Sequence, residues 1–246
     1  MKHLRKEQLK TLNNADAYLD WFSVQKMDFA GKLLQHILPG GFWGDGHEQN
    51  HCNHPEFSDC RIYLTFDDGP SPATTPWLLE LLEKESVKAS FFLIGREAEK
   101  YPDLVEAIQK GGHSIGNHSY SHRFMPALKL AQIEKEIEST NRIITDSGAP
   151  TPTIFRPPYG LMDRRAKEVL KEHSMSAVYW SQAPEDWCSP GPARVVRRVL
   201  LGLKVGGLIV LHEGEGLKEQ TFAAAKELIY KCKSAKLSLE KVELSA

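Results

Sequence analysis

No apolar run in this chain approaches the ~20 residues that a membrane-spanning helix needs, so no span is expected. The beginning is equally poor in apolar stretches. Met1 to Lys10 is polar and basic, and Thr11 to Phe29 has no apolar run of signal-peptide length, which makes cytoplasmic residence the default expectation. Charge of one sign is lacking too. Lys+Arg 31 against Asp+Glu 32 leaves a net charge of −1, with no broad basic face for nucleic acid and no attraction to anionic lipid. Cysteine is scarce: four in 246 residues, without an export signal, read as reduced thiols and not as a disulfide framework. There are no repeats and no low-complexity tracts, which excludes a solenoid or an array. A chain of this length can bury a substantial core without a second domain.

The pattern along the chain divides at about residue 60. Over residues 1 to about 40, Leu9, Leu12, Ala15, Leu19, Phe22, Phe29, Leu33 and Ile37 recur at near-helical spacing, so one or two amphipathic helices are expected there. Leu38-Pro39-Gly40-Gly41 ends them, and a linker follows to residue 60. From Arg61 onward strands and helices alternate. Strands are expected over 61–66, 88–94, 113–117, 153–156, 176–181, 207–212 and near 237–243. Helices are expected over 75–85, 101–110, 129–146, 163–173, 192–203 and 217–233. That alternation argues for a mostly parallel sheet with covering helices. The division is therefore a helical extension and linker over 1–60 and an α/β domain over 61–246.

Chemistry concentrates at the ends of the expected strands. Ile62 to Phe66 runs into two adjacent carboxylates and a turn, Asp67-Asp68-Gly69-Pro70. His118-Ser119-Tyr120-Ser121-His122 places two imidazoles four residues apart, on one face if that segment is helical. One carboxylate with two histidines makes a three-ligand metal site that leaves a position for water, and the second carboxylate is then free to act as a base. Taken singly each element has a plainer reading, as a helix cap or turn for the aspartates and as ordinary histidines for the pair. Ile154 to Phe155 leads into Arg156-Pro157-Pro158-Tyr159-Gly160, and the apolar strand from Gly206 ends at His212. Alone, Arg156 reads as an ion pair and His212 as a satisfied strand-end histidine.

Together, in this order, these segments resemble the polysaccharide deacetylase family (carbohydrate esterase family 4, the NodB-homology domain). The matching segments are TFDDGP at 65–70, HSYSH at 118–122, RPPYG at 156–160 and the apolar strand ending at His212. The resemblance implies a distorted (β/α) barrel of seven or eight mostly parallel strands, with an N-terminal helical extension and the site at the C-terminal ends of the strands. It implies that Asp67 is the catalytic base, that Asp68, His118 and His122 hold one divalent ion, and that Arg156 holds the base by an ion pair. Zn²⁺ is the expected ion, with Co²⁺ or another divalent ion also compatible. The backbone N–H of Tyr159 is implied as the oxyanion donor and His212 as the general acid. An amide needs all of these: an activated water, a stabilised oxyanion and a proton for nitrogen.

One motif departs from the family. Where D-x-x-D-W is usual, the chain has Ala183-Pro184-Glu185-Asp186-Trp187, so Ala183 stands where the first aspartate belongs. In the family that aspartate orients and charges the general-acid histidine, and its loss predicts a lower pKa and a looser tautomer for His212. Glu185, Glu213 and Ser181 are the substitutes within reach of the sequence. Trp187 is expected to line the site with Val210 and Leu211 as an apolar slot for an acetyl methyl group, or else to pack in the core.

The linker carries a second cluster, His47, His51, Cys52, His54 and Cys60, which reads either as a structural zinc site or as a loop with free or paired cysteines. Cys188 follows Trp187, but no additional histidine is available to activate it as a nucleophile. The expected activity is metal-dependent removal of N-acetyl groups from an acetylated carbohydrate partner, with no nucleic acid involved. Two alternatives stay open: an O-acetyl sugar esterase using the same groups, and a carbohydrate-binding homologue with poor turnover.

Overall fold

Strand β1 (Arg61–Asp67) is buried from Ile62 onward, as its largely apolar sequence suits a central strand covered on both faces. A computed structural model describes residues 60–244. The helices expected over 1–40 and the cluster residues His47, His51, Cys52 and His54 lie outside the described residues. The other strands are β2 (Ser90–Leu93), β3 (Ser114–Asn117), β4 (Ile154–Phe155), β5 (Ser176–Ala177), β6 (Leu208–His212) and β7 (Ser238–Glu240). They form a seven-stranded sheet in the order β5-β4-β3-β2-β1-β6, with β7 pairing β1 over Arg61–Tyr63. Every pairing is parallel.

The two ends of the sheet meet. After β5 the N–H groups of Ser181 and Gln182 both donate to Leu208 O at 3.0 Å, and Val210 N–H donates to Gln182 O at 2.9 Å. The sheet thereby curls into the distorted (β/α) barrel, with seven strands among the described residues. Covering helices are α1 (Thr75–Lys84), α2 (Gly95–Lys100), α3 (Pro102–Lys110), α4 (Leu130–Asp146), α5 (Arg164–Glu172), α6 (Pro192–Gly202) and α7 (Lys218–Ser234). None of them is long and apolar enough to cross a membrane.

Period-2 alternation sorts the strands into two packing layers. Ile62, Leu64 and Phe66 of β1 face the helices and pack with Leu82, Phe91 and Leu228. Tyr63 packs on the other side with Phe92, Ile154, Val178 and Leu208. Along this inner column β1 turns polar toward its end, from Tyr63 through Thr65 to Asp67, so the barrel interior opens into a polar mouth.

One expected strand is shorter than its sequence suggests, and one short helix was not expected. The strand expected over 176–181 is only two residues long, because Arg156 takes the next two carbonyls: Nε donates to Val178 O at 3.3 Å and Nη2 to Tyr179 O at 2.9 Å. Helix α2 was not legible, since six residues with Ala98 as the one buried side chain beyond glycine show no periodic apolar face.

Candidate metal-binding hydrolytic site

The register between β1 and β6 sets Asp67 directly beside His212. Both side chains fall on the inner column, at the C-terminal ends of adjacent strands. His118 follows β3, its N–H bonded to Leu93 O at 2.9 Å, and Arg156 follows β4, its N–H bonded to Asn117 O at 2.9 Å. Four strand ends therefore bring together residues that are up to 145 positions apart, from Asp67 to His212.

Arg156 is fully buried and its contacts fix Asp67. Nη1 donates to Asp67 Oδ1 at 2.5 Å and to Thr65 Oγ1 at 2.8 Å, while the guanidinium carbon lies 3.9 Å over the Phe92 ring. Burial pushes the Asp67 carboxyl above the usual carboxylate range, and the Arg156 charge opposes that. Burial also pulls the guanidinium down, with Asp67 opposing. At this separation the opposite charges hold each other, and Oδ2 of Asp67 is left facing His118, 3.9 Å from its Nε2.

Asp68, His118 and His122 offer ligand atoms that all lie within 4.8 Å of one another. Asp68 Oδ1 is 3.5 Å from His118 Nε2 and 3.4 Å from His122 Nε2. That oxygen is buried and has no hydrogen-bond partner among the described residues, a costly state for a carboxylate unless a cation shares it. His118 Nδ1 lies 2.7 Å from Arg156 O, which fixes the tautomer and aims the Nε2 lone pair at the site. Burial lowers its pKa to about 3, so the ring is a neutral ligand. The donor set fits a divalent cation.

The segment carrying the histidines is not helical. Ser119 and His122 have φ of 64° and 55°, and the turn is built by side chains. Asn117 Oδ1 accepts from Ser119 N–H at 2.7 Å, Ser119 Oγ accepts from His122 N–H at 3.0 Å, and Glu136 of α4 takes both the N–H and the hydroxyl of Ser121. The two rings still converge, with centroids 4.9 Å apart.

The expectation that His212 has lost its carboxylate partner is overturned. Asp186 Oδ1 lies 2.8 Å from His212 Nδ1, and Oδ2 accepts the His212 backbone N–H at 2.7 Å. Asp186 is fully buried in a short 3₁₀ turn flanked by left-handed Glu185 and Ser189, and Gln220 of α7 grips its carbonyl at 2.7 Å. Burial works against charge on His212, yet the hydrogen bond and charge of Asp186, helped by Asp67 and Asp68, raise its pKa to about 9. Ala183 is buried and apolar, and the carboxylate comes from three residues further on.

None of the substitutes named from sequence fills that role. Ser181 bonds the backbone of Leu208, and Glu185 pairs with Arg198 at 3.0 Å. Glu213 is buried at the start of α1, its Oε2 accepting from Thr74 Oγ1 at 2.9 Å and Thr75 Oγ1 at 2.5 Å, with its pKa pushed up to about 7 by burial. Its Oε1 sits where a Cβ on Gly69 would be, so a larger residue in the turn after Asp68 would have to displace the buried Glu213 carboxyl.

The apolar slot is corrected in part. Trp187 stands 51% exposed with its ring 5.0 Å from that of His212, so it does flank the site. Val210 shares the inner face with His212 but is itself buried. Leu211 points the other way, into the helix-side core with Phe66 and Leu228, because successive strand residues alternate. Tyr159 has φ 59° in a turn whose hydrogen bonds are donated by Gly160 and Leu161. Thr65, Asn117, Glu136 and Gln220 complete the site by holding Arg156, the histidine turn and Asp186, although no motif marks them. Asn117, adjacent to the histidine motif, carried the one readable signal, a polar residue ending a strand. Cys60 is buried and Cys188 exposed. A cleft of about 520 Å³ runs from Asp68 and His122 past Pro70, Ile94, Arg96 and Tyr101.

A barrel with a carboxylate–arginine pair, a carboxylate–histidine pair and an Asp-His-His cluster at one mouth defines a hydrolase-type site. Residues 54–178 match the model of the polysaccharide deacetylase family, and the chain belongs to that family. It is 35% identical to a peptidoglycan-N-acetylglucosamine deacetylase of Bacillus cereus over 170 residues, 68% of this chain and 79% of the relative. It is 34% identical to a chitooligosaccharide deacetylase of Bradyrhizobium sp. over 165 residues, 66% of this chain and 75% of the relative. Among solved structures it resembles a family 4 carbohydrate esterase from Streptomyces lividans in complex with acetate. That match has a TM-score of 0.70 and 32% identity, covering 76% of this chain and 94% of the other.

Proposed function

We propose that this protein is a metal-dependent hydrolase that removes N-acetyl groups from acetylated amino sugars in oligo- or polysaccharides, releasing acetate. The observation that carries the reading is the pairing of Asp67 with His212 across β1 and β6, each backed by a buried partner of opposite charge. Such a pair supplies a proton acceptor and a proton donor on one small site.

Asp68, His118 and His122 would hold the ion, and their mix of one carboxylate and two imidazoles favours Zn²⁺. A divalent ion supplies Lewis acidity there, which makes water a nucleophile near neutral pH. Asp67 Oδ2 accepts the proton of the attacking water while Arg156 keeps Oδ1 occupied. Tyr159 N–H donates to the oxygen of the acetamide as charge develops on it. His212, held charged by Asp186, hands its proton to the departing nitrogen.

The high pKa of His212 favours amide over ester chemistry. An amide nitrogen leaves only when protonated, whereas an alkoxide asks less of the acid. The alternative of a poorly active binding homologue rested on Ala183, and the Asp186 contact removes that support. The test is a mass-spectrometric screen for loss of acetyl groups from N- and O-acetylated oligosaccharides, with zinc added or chelated. Zinc-dependent mass loss from the N-acetyl substrates is expected, and loss confined to O-acetyl sugars would replace this reading by the esterase one.

A further inference from the structure

The loop that leaves the second histidine alternates sharply in exposure. Met125 is fully buried, packed with Leu128, Ile133, Ile137 and Met162, whereas Phe124 next to it is 42% exposed. The loop is held from beneath. Arg165 donates to Pro126 O at 3.1 Å and Leu128 O at 2.8 Å, and is itself fixed by Asp163, the residue capping α5, at 2.5 Å. Ala127 N–H closes the turn on Phe124 O at 3.1 Å. Burial of Met125 thus decides that Phe124 points outward, and the frame below keeps it there.

Phe124 is not isolated. Its ring centroid lies 6.3 Å from that of Tyr159, which is 62% exposed, and Tyr159 lies 4.8 Å from the ring of His122. A row of three rings therefore runs outward from the metal-ligand cluster, with two of them open to solvent. Two neighbouring aromatic rings held exposed on a fixed support beside the site offer apolar surface that a bound ligand would remove from water. It carries no charge and few hydrogen-bonding groups, which suits the C–H face of a pyranose ring more than a phosphate, a carboxylate or a peptide backbone. It is continuous with the site through His122, so the sugar it meets belongs to the same chain as the residue being deacetylated.

We propose that Phe124 and the Tyr159 ring form a distal sugar subsite that selects substrates longer than a disaccharide. The proposal rests on the deacetylase reading above for the identity of the ligand. Aromatic rings of this kind give contact area at low entropic cost, since they turn about two side-chain angles. The subsite sets affinity for length and leaves the chemistry to the groups around Asp67.

Calorimetric titration of the full chain with chitopentaose and with chitobiose tests it, in an Asp67→Asn background so that nothing is consumed. Phe124→Ala is expected to lower the pentamer-to-dimer affinity ratio roughly tenfold, the worth of one aromatic contact. Phe124→Trp is expected to restore it. An unchanged ratio in Phe124→Ala, or no binding of the pentamer at all, overturns the subsite. Acetate release by the protein with Asp67 intact is measured separately. Length-dependent binding that Phe124→Ala abolishes, without acetate release, would sink the deacetylase reading and leave the subsite standing.

Discussion

Replacing Asp186 by asparagine keeps the size of the side chain and removes the charge that faces His212. In the folded protein His212 Nδ1 lies 2.8 Å from Asp186 Oδ1, and its pKa stands at about 9 against 6.5 for an ordinary imidazole. That gap corresponds to roughly 3 kcal/mol in favour of the imidazolium. A general acid works only while protonated, so turnover is expected below this pKa and declines as pH rises through about 9. In Asp186→Asn the largest opposing influence, burial, remains while the strongest support is gone. The alkaline limb should therefore move down toward 6.5, the ordinary imidazole value. At a pH of about 8, acetate release from chitopentaose should fall roughly thirtyfold, because an acid of pKa about 9 is then mostly protonated and one of 6.5 almost wholly unprotonated. An activated aryl acetate should lose much less, because its leaving group needs no proton. The same pairing also stabilises the fold. A raised folded-state pKa contributes stability fully present below 6.5, and that contribution is lost as pH rises through about 9. The assay is a pH–rate profile on both substrates, with circular dichroism and metal content to confirm an intact protein. An alkaline limb that stays in place in a folded, metal-loaded Asp186→Asn would refute the assignment. Ala183→Asp should leave the limb where it is, since Asp186 already occupies His212 Nδ1.

His118→Ala should lose bound zinc and deacetylation while keeping its far-ultraviolet spectrum; a stoichiometric ion measured by plasma emission would show that the ligands are elsewhere. Asp67→Asn should retain the ion and lose roughly two to four orders of magnitude in turnover, and near-normal rates would point to another base. Arg156→Ala should be worse than a positioning defect, because it strands a buried carboxylate and empties space against Phe92. A loss of roughly 3–5 kcal/mol in denaturant unfolding is expected, and a change within error would show that the pair is not buried in solution. Gly69→Ala should destabilise the protein through contact with Glu213, and Glu213→Ala should relieve part of that cost. Strictly additive melting shifts in the double variant would contradict the close approach of Glu213 to Gly69.

Much of the framework was readable from local pattern. The strands ending at Asp67, Phe155 and His212 are short, largely apolar runs broken by turn residues, and a run of that kind announces itself without knowledge of its partners. The chemical groups follow those runs directly, so the catalytic candidates could be named from order alone. Helix α2 was invisible for the same reason in reverse, being too short to show a period.

What the sequence by itself determined, then, is the succession of strands and helices and the residue types placed at their ends, because both are written in neighbouring positions. The tertiary structure alone decided which groups meet. His212 finds its carboxylate at Asp186 because a left-handed turn and a grip from Gln220 on α7 swing that residue under β6. His118 and His122 converge through a turn built by Asn117, Ser119 and Glu136, with no helix involved. Leu211 faces the helices and Val210 the interior because parity along β6 follows from its register with β1. Each of these is a contact between segments remote in sequence, set by strand register and helix packing, and no pattern within either segment records it.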